Sequence, residues 1–505
     1  MKGEVKGMFS VKLNIYGFFV RAAGAGSVVG AVAVASLLAC ERTYILVAIA
    51  GVWAVLCVTA LIYAVYRIDF RLALYLWPQS QSIEVFAHEF PNNRLVDLHF
   101  AARDYCAAEG FDVSLNSSHQ SELRSLIALR VSWWDRRIHR AKCIPRAIDE
   151  AQEVYVPVDE FWIRTPWNAP GHNAAIVRVW YDKREEETWL EIAAADKESA
   201  SAIHRAIRER ADQNSIYKNK VIEAVVMERD RDPFDLVECP DRMILRFKKL
   251  PKVSEGDIII EPHIRQIIRR NLFDFHRHKD AIKARGIPLK KGLLFYGPPG
   301  TGKTYTCRYI YSELADITTL IITGHALKEI KSVCRLARTL QPSLVVLEDV
   351  DLVFSSRADN FYSTSLGDLM DQLDGFNADD AVIFILTTND IVRLESAIKD
   401  RPGRINQCIF FGTPSPDVRR RYFLQSMSAH DHAALDLDKW IANTEGCSHA
   451  FIKELIFRAV QVSMEETGYT AGVLHLKDAD FQKALDELTS FDDRKGHAIL
   501  GFRAC

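Results

Sequence analysis

The sequence predicts an α/β fold organised around a glycine-rich loop, and three consecutive segments support this prediction. A short apolar run at residues 293–296 comes first, the glycine-rich loop follows, and a helix-compatible segment comes next. The loop fits the pattern GxxxxGK followed by Ser or Thr, in the strand, loop and helix context that this motif requires. The loop and the residue after it are Gly297, Pro298, Pro299, Gly300, Thr301, Gly302, Lys303, Thr304 and Tyr305. We therefore interpret this stretch as a P-loop.

The residue types in the loop suit a nucleotide phosphate. Glycines allow successive backbone N–H groups to point into one concavity, and the helix behind them adds the positive end of its dipole. Lys303 supplies charge for the β- and γ-phosphates, and the Thr304 hydroxyl can ligate Mg²⁺. The expected ligands are therefore ATP and Mg²⁺. A plain glycine turn is the alternative, and the flanking segments argue against it.

Length and composition are those of a globular chain with two to four domains. The chain has 505 residues, of which 48% are hydrophobic and 26% charged, an ordinary balance for a folded protein. The formal net charge is −2, so nucleic acid is not an expected partner unless a local basic patch binds it. Ten cysteines include no CxxC pair, which argues against a disulfide framework and a zinc site.

The N-terminal region predicts membrane anchoring. Residues 22–66 carry no charge except at Glu41 and Arg42, and the run at 43–66 exceeds the ~20 residues that cross a bilayer. We expect two transmembrane helices there, following a basic cytoplasmic segment at residues 1–21. A cleaved signal peptide is the alternative for the first apolar run. Basic residues flank the pair on both sides, which places both ends in the cytoplasm and predicts a multi-pass membrane protein.

Residues 67–251 are predicted to be a linker and an α+β domain that contacts a client or an adaptor. Its alternating and apolar runs predict strands and one helix. The strands are expected at residues 175–181, 188–193, 221–227 and 243–247, and the helix from residue 197 to about 211.

A basic patch in this region surrounds the tryptophans at 133–134. Its members are Arg130, Arg136, Arg137, Arg140, Lys142 and Arg146. A solvated helix face is the first interpretation. Contact with lipid headgroups is the second, and contact with a nucleic-acid backbone is the third.

Acids, an amide and two arginines follow the P-loop in a fixed order. A buried-strand run ends in Glu348 and Asp349, as expected of a strand that delivers acids to a metal ion and an attacking water. A second apolar run ends just before Asn389, whose amide is expected beside the γ-phosphate. Arg401 and Arg404 can stabilise charge on a transferring phosphoryl group.

In this order and spacing, the segments resemble the AAA family of ATPases. The matching pieces are GPPGTGKT, LVVLEDVD, LTTN, RPGRINQ and TEGCSHAFIKEL, all within about residues 258–485. The resemblance implies a nucleotide-binding subdomain with a parallel sheet at residues 252–414, and a helical lid with the C-terminal tail at residues 415–505. It also implies a homo-oligomeric ring, usually of six subunits, with ATP at each interface.

The same resemblance implies a role for each matching residue. Lys303 would bind phosphate and Thr304 would ligate Mg²⁺. Asn389 would be sensor 1, and Arg401 and Arg404 would be arginine-finger candidates for the neighbouring subunit's nucleotide.

The acids depart from the family's usual Asp-Glu order. By position, Glu348 would face the metal ion and Asp349 the water, and the shorter aspartate would slow hydrolysis unless the strand shifts. A nucleotide-binding ring that barely hydrolyses ATP is the alternative. A Bcs-type translocase of the family shares the reversed order and is an active enzyme. The resemblance also extends to a set of poorly characterised bacterial AAA proteins that share this order and the AFIKEL lid segment, which implies a bacterial inner membrane as the location.

The segment GHALKEIKSVCRLARTL departs from the family at the pore loop, because it contains no aromatic residue. Strand-gripping threading is therefore in doubt, and the aromatic pair at 361–362 is interpreted as part of a surface loop. No HExxH motif occurs, so no peptidase domain is expected. The sequence predicts a membrane-anchored AAA ATPase that remodels or translocates a protein client, with a nucleotide-gated scaffold as the alternative.

Overall fold

A computed structural model of the chain describes nine stretches of residues. They are residues 9–12, 82–116, 143–164, 174–182, 187–227, 242–351, 366–391, 405–469 and 472–489. The predicted transmembrane pair at 22–66, the tryptophans at 133–134, the aromatic pair at 361–362, and Arg401 and Arg404 lie outside these residues. Within them, every helix is too short or too polar to cross a bilayer. The chain divides into two units, Met1–Ile216 and Tyr217–Cys505.

The first unit is an α+β structure with an antiparallel sheet. Six strands pair in the order β1-β2-β8-β7-β6-β3, and β4 and β5 form a separate hairpin. The predicted strands at 175–181 and 188–193 are observed as β7 and β8, and the predicted helix as α2. The elements are β1 (Phe9–Lys12), β2 (Ser82–Pro91), a 3₁₀ turn (Asn92–Arg94), α1 (Leu95–Ala108), β3 (Asp112–Asn116), β4 (Cys143–Asp149), β5 (Gln152–Pro157), β6 (Asp159–Arg164), β7 (Ala175–Asp182), β8 (Glu187–Ala194) and α2 (Lys197–Gln213).

Helices α1 and α2 bury one face of this sheet. Val177 and Val179 alternate along β7 and share one apolar core with Ile203 and Ile207 of α2. Residues two apart lie on one face of a strand and residues four apart lie on one face of a helix, so one face of β7 packs against one face of α2. Asp196 caps α2 by accepting a hydrogen bond from a backbone N–H of the first turn at 2.8 Å.

A buried ion triad lies on the other face of the same strands. The Arg178 guanidinium of β7 donates to both carboxylate oxygens of Asp159 at 2.8 Å and to Glu191 at 2.8 Å. All three side chains are buried. Because each charge is paired and hydrogen-bonded, the triad is tolerated in the interior, and it links β6, β7 and β8.

The second unit is organised around a seven-stranded sheet in the order β10-β9-β12-β13-β14-β11-β15. Every pair is parallel except β10 with β9. The runs SLVVLE and VIFILTT form β13 and β14 and are almost wholly buried, as expected of strands covered on both faces. The strands are β9 (Val221–Met227), β10 (Arg242–Phe247), β11 (Lys291–Tyr296), β12 (Thr318–Thr323), β13 (Ser343–Glu348), β14 (Val382–Thr388) and β15 (Gln407–Phe410).

The hairpin β9–β10 differs from the sequence-based assignment. We expected strands at 221–227 and 243–247 in the N-terminal α+β domain, with the ATPase subdomain beginning at residue 252. Instead, residues 221–224 of β9 pair in parallel with residues 319–322 of β12. The sheet of the P-loop therefore begins with this hairpin.

Helices flank the sheet and then form a separate lid. Ser415 is the N-cap of the first lid helix. The helices are α3 (Pro262–Ile268), a π-helical turn (Arg269–Phe273), α4 (Asp274–Arg277), α5 (Lys279–Lys283), α6 (Lys303–Glu313), a 3₁₀ turn (Gly324–Glu329), α7 (Ile330–Thr339), α8 (Leu366–Asp374), and in the lid α9 (Pro416–Ser426), α10 (Leu437–Asn443), α11 (His449–Glu466) and α12 (Asp478–Thr489).

The lid has its own apolar core. Phe423, Trp440, Phe451 and Phe481 come from its four helices, and each is at most 2% exposed. Because these side chains pack against one another, the lid is held together independently of the sheet.

Candidate nucleotide site

The P-loop joins β11 to α6 at the carboxyl edge of the parallel sheet. Gly297 begins the loop with a φ of 144°, a conformation that L side chains rarely adopt. A Cβ at this position would lie 2.1 Å from the carbonyl oxygen of Phe411. Glycine is therefore required by the close approach of two backbone segments.

The Lys303 ammonium folds back onto its own loop. Its Nζ donates hydrogen bonds to the carbonyl oxygens of Gly297 at 2.8 Å and Pro298 at 2.9 Å. Burial lowers the pKa of Lys303 to about 8, while the charges of Asp349 and Asp351 act to raise it. The lysine is thus adjacent to the two aspartates that follow β13.

The side-chain amide of Asn389 contacts Asp349, the first of these two aspartates. Its Nδ2 donates to Asp349 Oδ1 at 3.4 Å, and its backbone N–H donates to Asp351 Oδ1 at 3.1 Å. Thr388 also donates its hydroxyl to Asp351 at 2.8 Å. The structure therefore brings together the predicted sensor amide and the predicted water-facing acid.

Asp351 and Thr387 contact the candidate site and are absent from our predicted site residues. Asp351 is 8% exposed and fixes the backbone after β14. The buried Thr387 hydroxyl accepts a hydrogen bond from the Asp349 backbone N–H at 2.9 Å. The signal was present in the sequence as a third acid after Glu348 and as paired threonines before Asn389.

Glu348 lies at the end of β13 in a different electrostatic setting. Burial and the neighbouring Asp349 raise its pKa, and Arg308 and Lys248 act against that shift. Lys248 also forms an ion pair with Glu223 of the β9–β10 hairpin at 2.6 Å. The hairpin thus contributes charges to the environment of this acid.

The residues of the site fit a hydrated divalent ion. The half-buried Thr304 hydroxyl makes no hydrogen bond to the residues that the structure describes, and Glu348 is a half-buried carboxylate. Hydroxyl and carboxylate oxygens are the ligands that Mg²⁺ takes alongside phosphates and water. The predicted pair of metal ligands is therefore chemically suited to this ion.

The lid closes over the P-loop through the start of α11. The Ala450 backbone N–H donates to the Gly300 carbonyl oxygen at 3.1 Å, and a Cβ on Gly300 would lie 2.8 Å from that of Ala450. Burial lowers the pKa of His449 to about 4, so its ring is neutral at pH 7.

A second contact joins the lid to the sheet subdomain at the start of α9. Ser415 donates its backbone N–H to Glu261 at 2.8 Å.

The remaining predicted loop residues have defined places. Thr301 is buried and donates its hydroxyl to the Pro298 carbonyl oxygen at 2.8 Å. Gly302 is the N-cap of α6. Pro299 is exposed, and Tyr305 is 43% exposed. The two predicted arginine fingers lie outside the described residues.

Comparison with known proteins identifies this region. The family model described as "ATPase family associated with various cellular activities (AAA)" matches residues 293–413. The chain carries an AAA ATPase domain. The matched residues run from β11 through the P-loop, β12, β13 and β14 to the strand β15. The match therefore covers the P-loop and five of the seven strands of the sheet, and the hairpin β9–β10 lies before it.

Several curated proteins are similar to the same region. The 26S proteasome regulatory subunit 8 homolog of Schizosaccharomyces pombe is 30% identical over 236 residues, which cover 43% of this chain and 56% of that protein. The 26S proteasome regulatory subunit 8 of Caenorhabditis elegans is 28% identical over 241 residues, covering 44% and 56%. The ATPase family protein 2 homolog of C. elegans is 30% identical over 235 residues, covering 43% and 32%. The chain thus spans about half or less of the length of these relatives.

Proposed function

We propose that this protein couples ATP binding and hydrolysis to the remodelling or translocation of a protein client. The observation that carries the proposal is the convergence of Lys303, Asp349 and Asn389 at one edge of the sheet. A cation for phosphate, an acid for the attacking water and an amide to orient both are the groups that phosphoryl transfer needs. The relatives named as 26S proteasome subunits favour a protein client over a nucleic acid.

In the proposed reaction, Lys303 releases the carbonyl oxygens of Gly297 and Pro298 and binds the β- and γ-phosphates of ATP. Thr304 and Glu348 would hold Mg²⁺, which supplies charge neutralisation for the phosphates when it is bound. Asp349 orients and polarises the attacking water, and Asn389 fixes that carboxylate by its hydrogen bond. Asp351 acts behind them as a positioning residue.

The proposed arrangement of the whole protein follows the sequence. The two apolar runs within residues 22–66 anchor the chain in a membrane as a multi-pass protein, with the AAA domain in the cytoplasm. The α+β unit binds a client or an adaptor. Copies of the chain assemble into a ring, with six subunits as the expected number, and Arg401 and Arg404 act on the neighbouring subunit's nucleotide.

A nucleotide-gated scaffold with slow hydrolysis is the second candidate. It is favoured by the short side chain of Asp349, which is already hydrogen-bonded to Asn389. In this alternative, ATP occupancy sets the state of assembly, and candidate clients leave the turnover rate unchanged. A remodelling enzyme is instead stimulated by its clients.

The test is ATP turnover per subunit of the full chain in a membrane mimetic, measured across protein concentrations. We expect specific activity to rise with concentration, because the active sites are shared. Arg404→Ala should lower the turnover by about 10³-fold or more, as for other arginine fingers. Lys303→Ala, which removes phosphate binding, is the control for contaminating ATPases. A rate near background that is independent of concentration and of Arg404 would leave the scaffold as the function.

A further inference from the structure

A cavity in the AAA unit lies at the far end of the P-loop helix. It has a volume of about 800 Å³, within the range of small-molecule sites. Its walls come from the loop at Glu255, the helices α3, α4 and α5 with the π-helical turn, the C-terminal end of α6, and the lid helix α9. Glu313 lies ten residues after Lys303 along α6, or about 15 Å at the rise of a helix. The cavity is therefore distinct from the phosphate loop.

Part of the charge in the walls is taken up by contacts between the lining residues. Arg265 pairs with Glu255 at 3.2 Å and Arg277 pairs with Asp274 at 3.7 Å, so these four residues leave no net charge. The His276 ring is hydrogen-bonded to Asp316 at 2.8 Å, a contact that is an ion pair only when the ring is protonated.

Three cations remain without an ion pair. Arg269, Lys279 and Arg421 line the cavity and form no hydrogen bond or salt bridge with the residues that the structure describes. Among the carboxylates that line the cavity, Glu313 alone forms no side-chain hydrogen bond or salt bridge with the residues that the structure describes. The lining thus has an excess of uncommitted positive charge.

Tyr309 gives the cavity an ordered floor. Its ring packs edge-on against Phe273 with centroids 5.5 Å apart, and it is 4% exposed. Burial raises the pKa of its phenol, and Arg265 and Arg269 act to lower it. The π-helical turn places Arg269 and Phe273 on this wall, and such turns are frequent at functional sites.

The cavity also spans the joint between the lid and the sheet subdomain. Arg421 lies on α9 in the lid, whereas Arg269 belongs to the sheet subdomain. One helical turn further along α9, Gln425 donates to the Gly256 carbonyl oxygen at 3.1 Å. A ligand bound by both arginines would therefore hold the lid in one orientation.

We propose that this cavity binds a small phosphorylated polyanion, with Arg269 and Arg421 as its principal ligands. Guanidinium groups pair with phosphate oxygens in a bidentate manner, and two of them on different elements of one cavity suit a ligand with two or more phosphates. Because the lid also contacts the P-loop at Gly300, the ligand changes nucleotide affinity by linkage. Binding itself does not depend on the proposed hydrolysis.

The test is titration calorimetry on the full chain with saturating ADP, which keeps the P-loop occupied. The probes are inorganic tripolyphosphate and inositol hexakisphosphate. Arg269→Glu and Arg421→Glu should each weaken binding by about tenfold or more, as expected for loss of a charge-assisted contact. Arg270→Glu is the matched control, because Arg270 is exposed beside Arg269 and does not line the cavity. The affinity of this variant for the probes should stay within about twofold of the wild-type affinity.

Arg269→Gln provides a milder variant and should weaken binding in the same direction. In the wild-type chain, inositol hexakisphosphate should change ADP affinity by about fivefold or more, and Arg421→Glu should abolish that change. Equal binding by Arg270→Glu and Arg269→Glu would overturn the proposal, because it would show non-specific attraction. Binding of a poly-glutamate peptide without binding of either phosphate probe would also overturn it, in favour of an acidic protein segment.

A change in assembly state gives a further contrary outcome. If Arg421→Glu alters the mass measured by light scattering while phosphate binding is unchanged, the cavity is a contact between subunits. Failure of ATP hydrolysis alone would leave these binding results intact, so the two proposals fail separately.

Discussion

The buried Lys303 ammonium predicts that nucleotide binding takes up a proton. Its pKa is lowered to about 8 by burial, and its hydrogen bonds go to two carbonyl oxygens instead of an anion. At pH 8 about half of the chains therefore carry a neutral lysine, and at pH 7 about one tenth do so. A triphosphate beside Nζ favours the charged form, so its pKa rises on binding.

The expected uptake is about 0.5 proton per ATP at pH 8 and about 0.1 at pH 7. The assay is titration calorimetry in two buffers of different ionisation enthalpy, because the difference in apparent binding enthalpy gives the number of protons. ATP affinity should fall as the pH rises from 7 to 9, since more of the lysine must then be protonated on binding. Without nucleotide, the lowered pKa has the opposite effect: stability rises with pH from about 8 towards the lysine's ordinary value of about 10.4.

Lys303→Arg is the matched control for this prediction. Arginine stays charged throughout this pH range, so the variant should bind ATP without proton uptake from this position. Equal uptake in the wild type and in Lys303→Arg would refute the reasoning, and so would an uptake near zero in the wild type at pH 8.

Three other predictions follow from the geometry. Gly297→Ala should abolish ATP binding and lower the melting temperature far more than Gly286→Ala. The reason is that a Cβ at 297 meets the backbone of Phe411, whereas a Cβ at 286 meets nothing within 4 Å. Thermal unfolding with and without ATP tests this prediction. Asp349→Asn should retain ATP binding and lower turnover by about 10²-fold or more, because the amide cannot act as a base; equal losses in binding and turnover would contradict it. Arg178→Met should lower the free energy of unfolding by about 3–5 kcal/mol, because it leaves two buried carboxylates uncompensated. Denaturant unfolding measures this loss. A loss below about 1 kcal/mol would show that water solvates the triad.

Local sequence signals predicted the elements of the candidate nucleotide site. The P-loop needs only a strand, a loop and the helix after it, all within residues 293–313, so its geometry is encoded in consecutive residues. The acids at 348–349 and the amide at 389 follow buried apolar runs. Parallel strands bring their carboxyl ends to one edge, so these residues could be placed together from the sequence.

The pairing of distant segments could not be predicted in the same way. The apolar run at 221–227 correctly indicated a strand, but alternation and hydrophobicity do not name a strand's partner. Its pairing with residues 319–322 crosses about a hundred residues of chain. The cavity at the lid joint has the same origin, because Arg269 and Arg421 are distant in the sequence and line one cavity where α9 contacts the loop at Gly256.

The backbone at Asp349 offers a physical reason for the reversed order of the two acids. Asp349 has a φ of 49°, which is a left-handed conformation, and its backbone N–H donates a hydrogen bond to the Thr387 hydroxyl. Aspartate tolerates left-handed backbone better than most residues with a side chain, because its short polar group can hydrogen-bond locally. Glu348 ends the strand in extended backbone, where a longer side chain brings no such cost. The order Glu-Asp therefore places the acid that tolerates positive φ where the chain turns, while Asn389 holds its carboxylate beside Lys303.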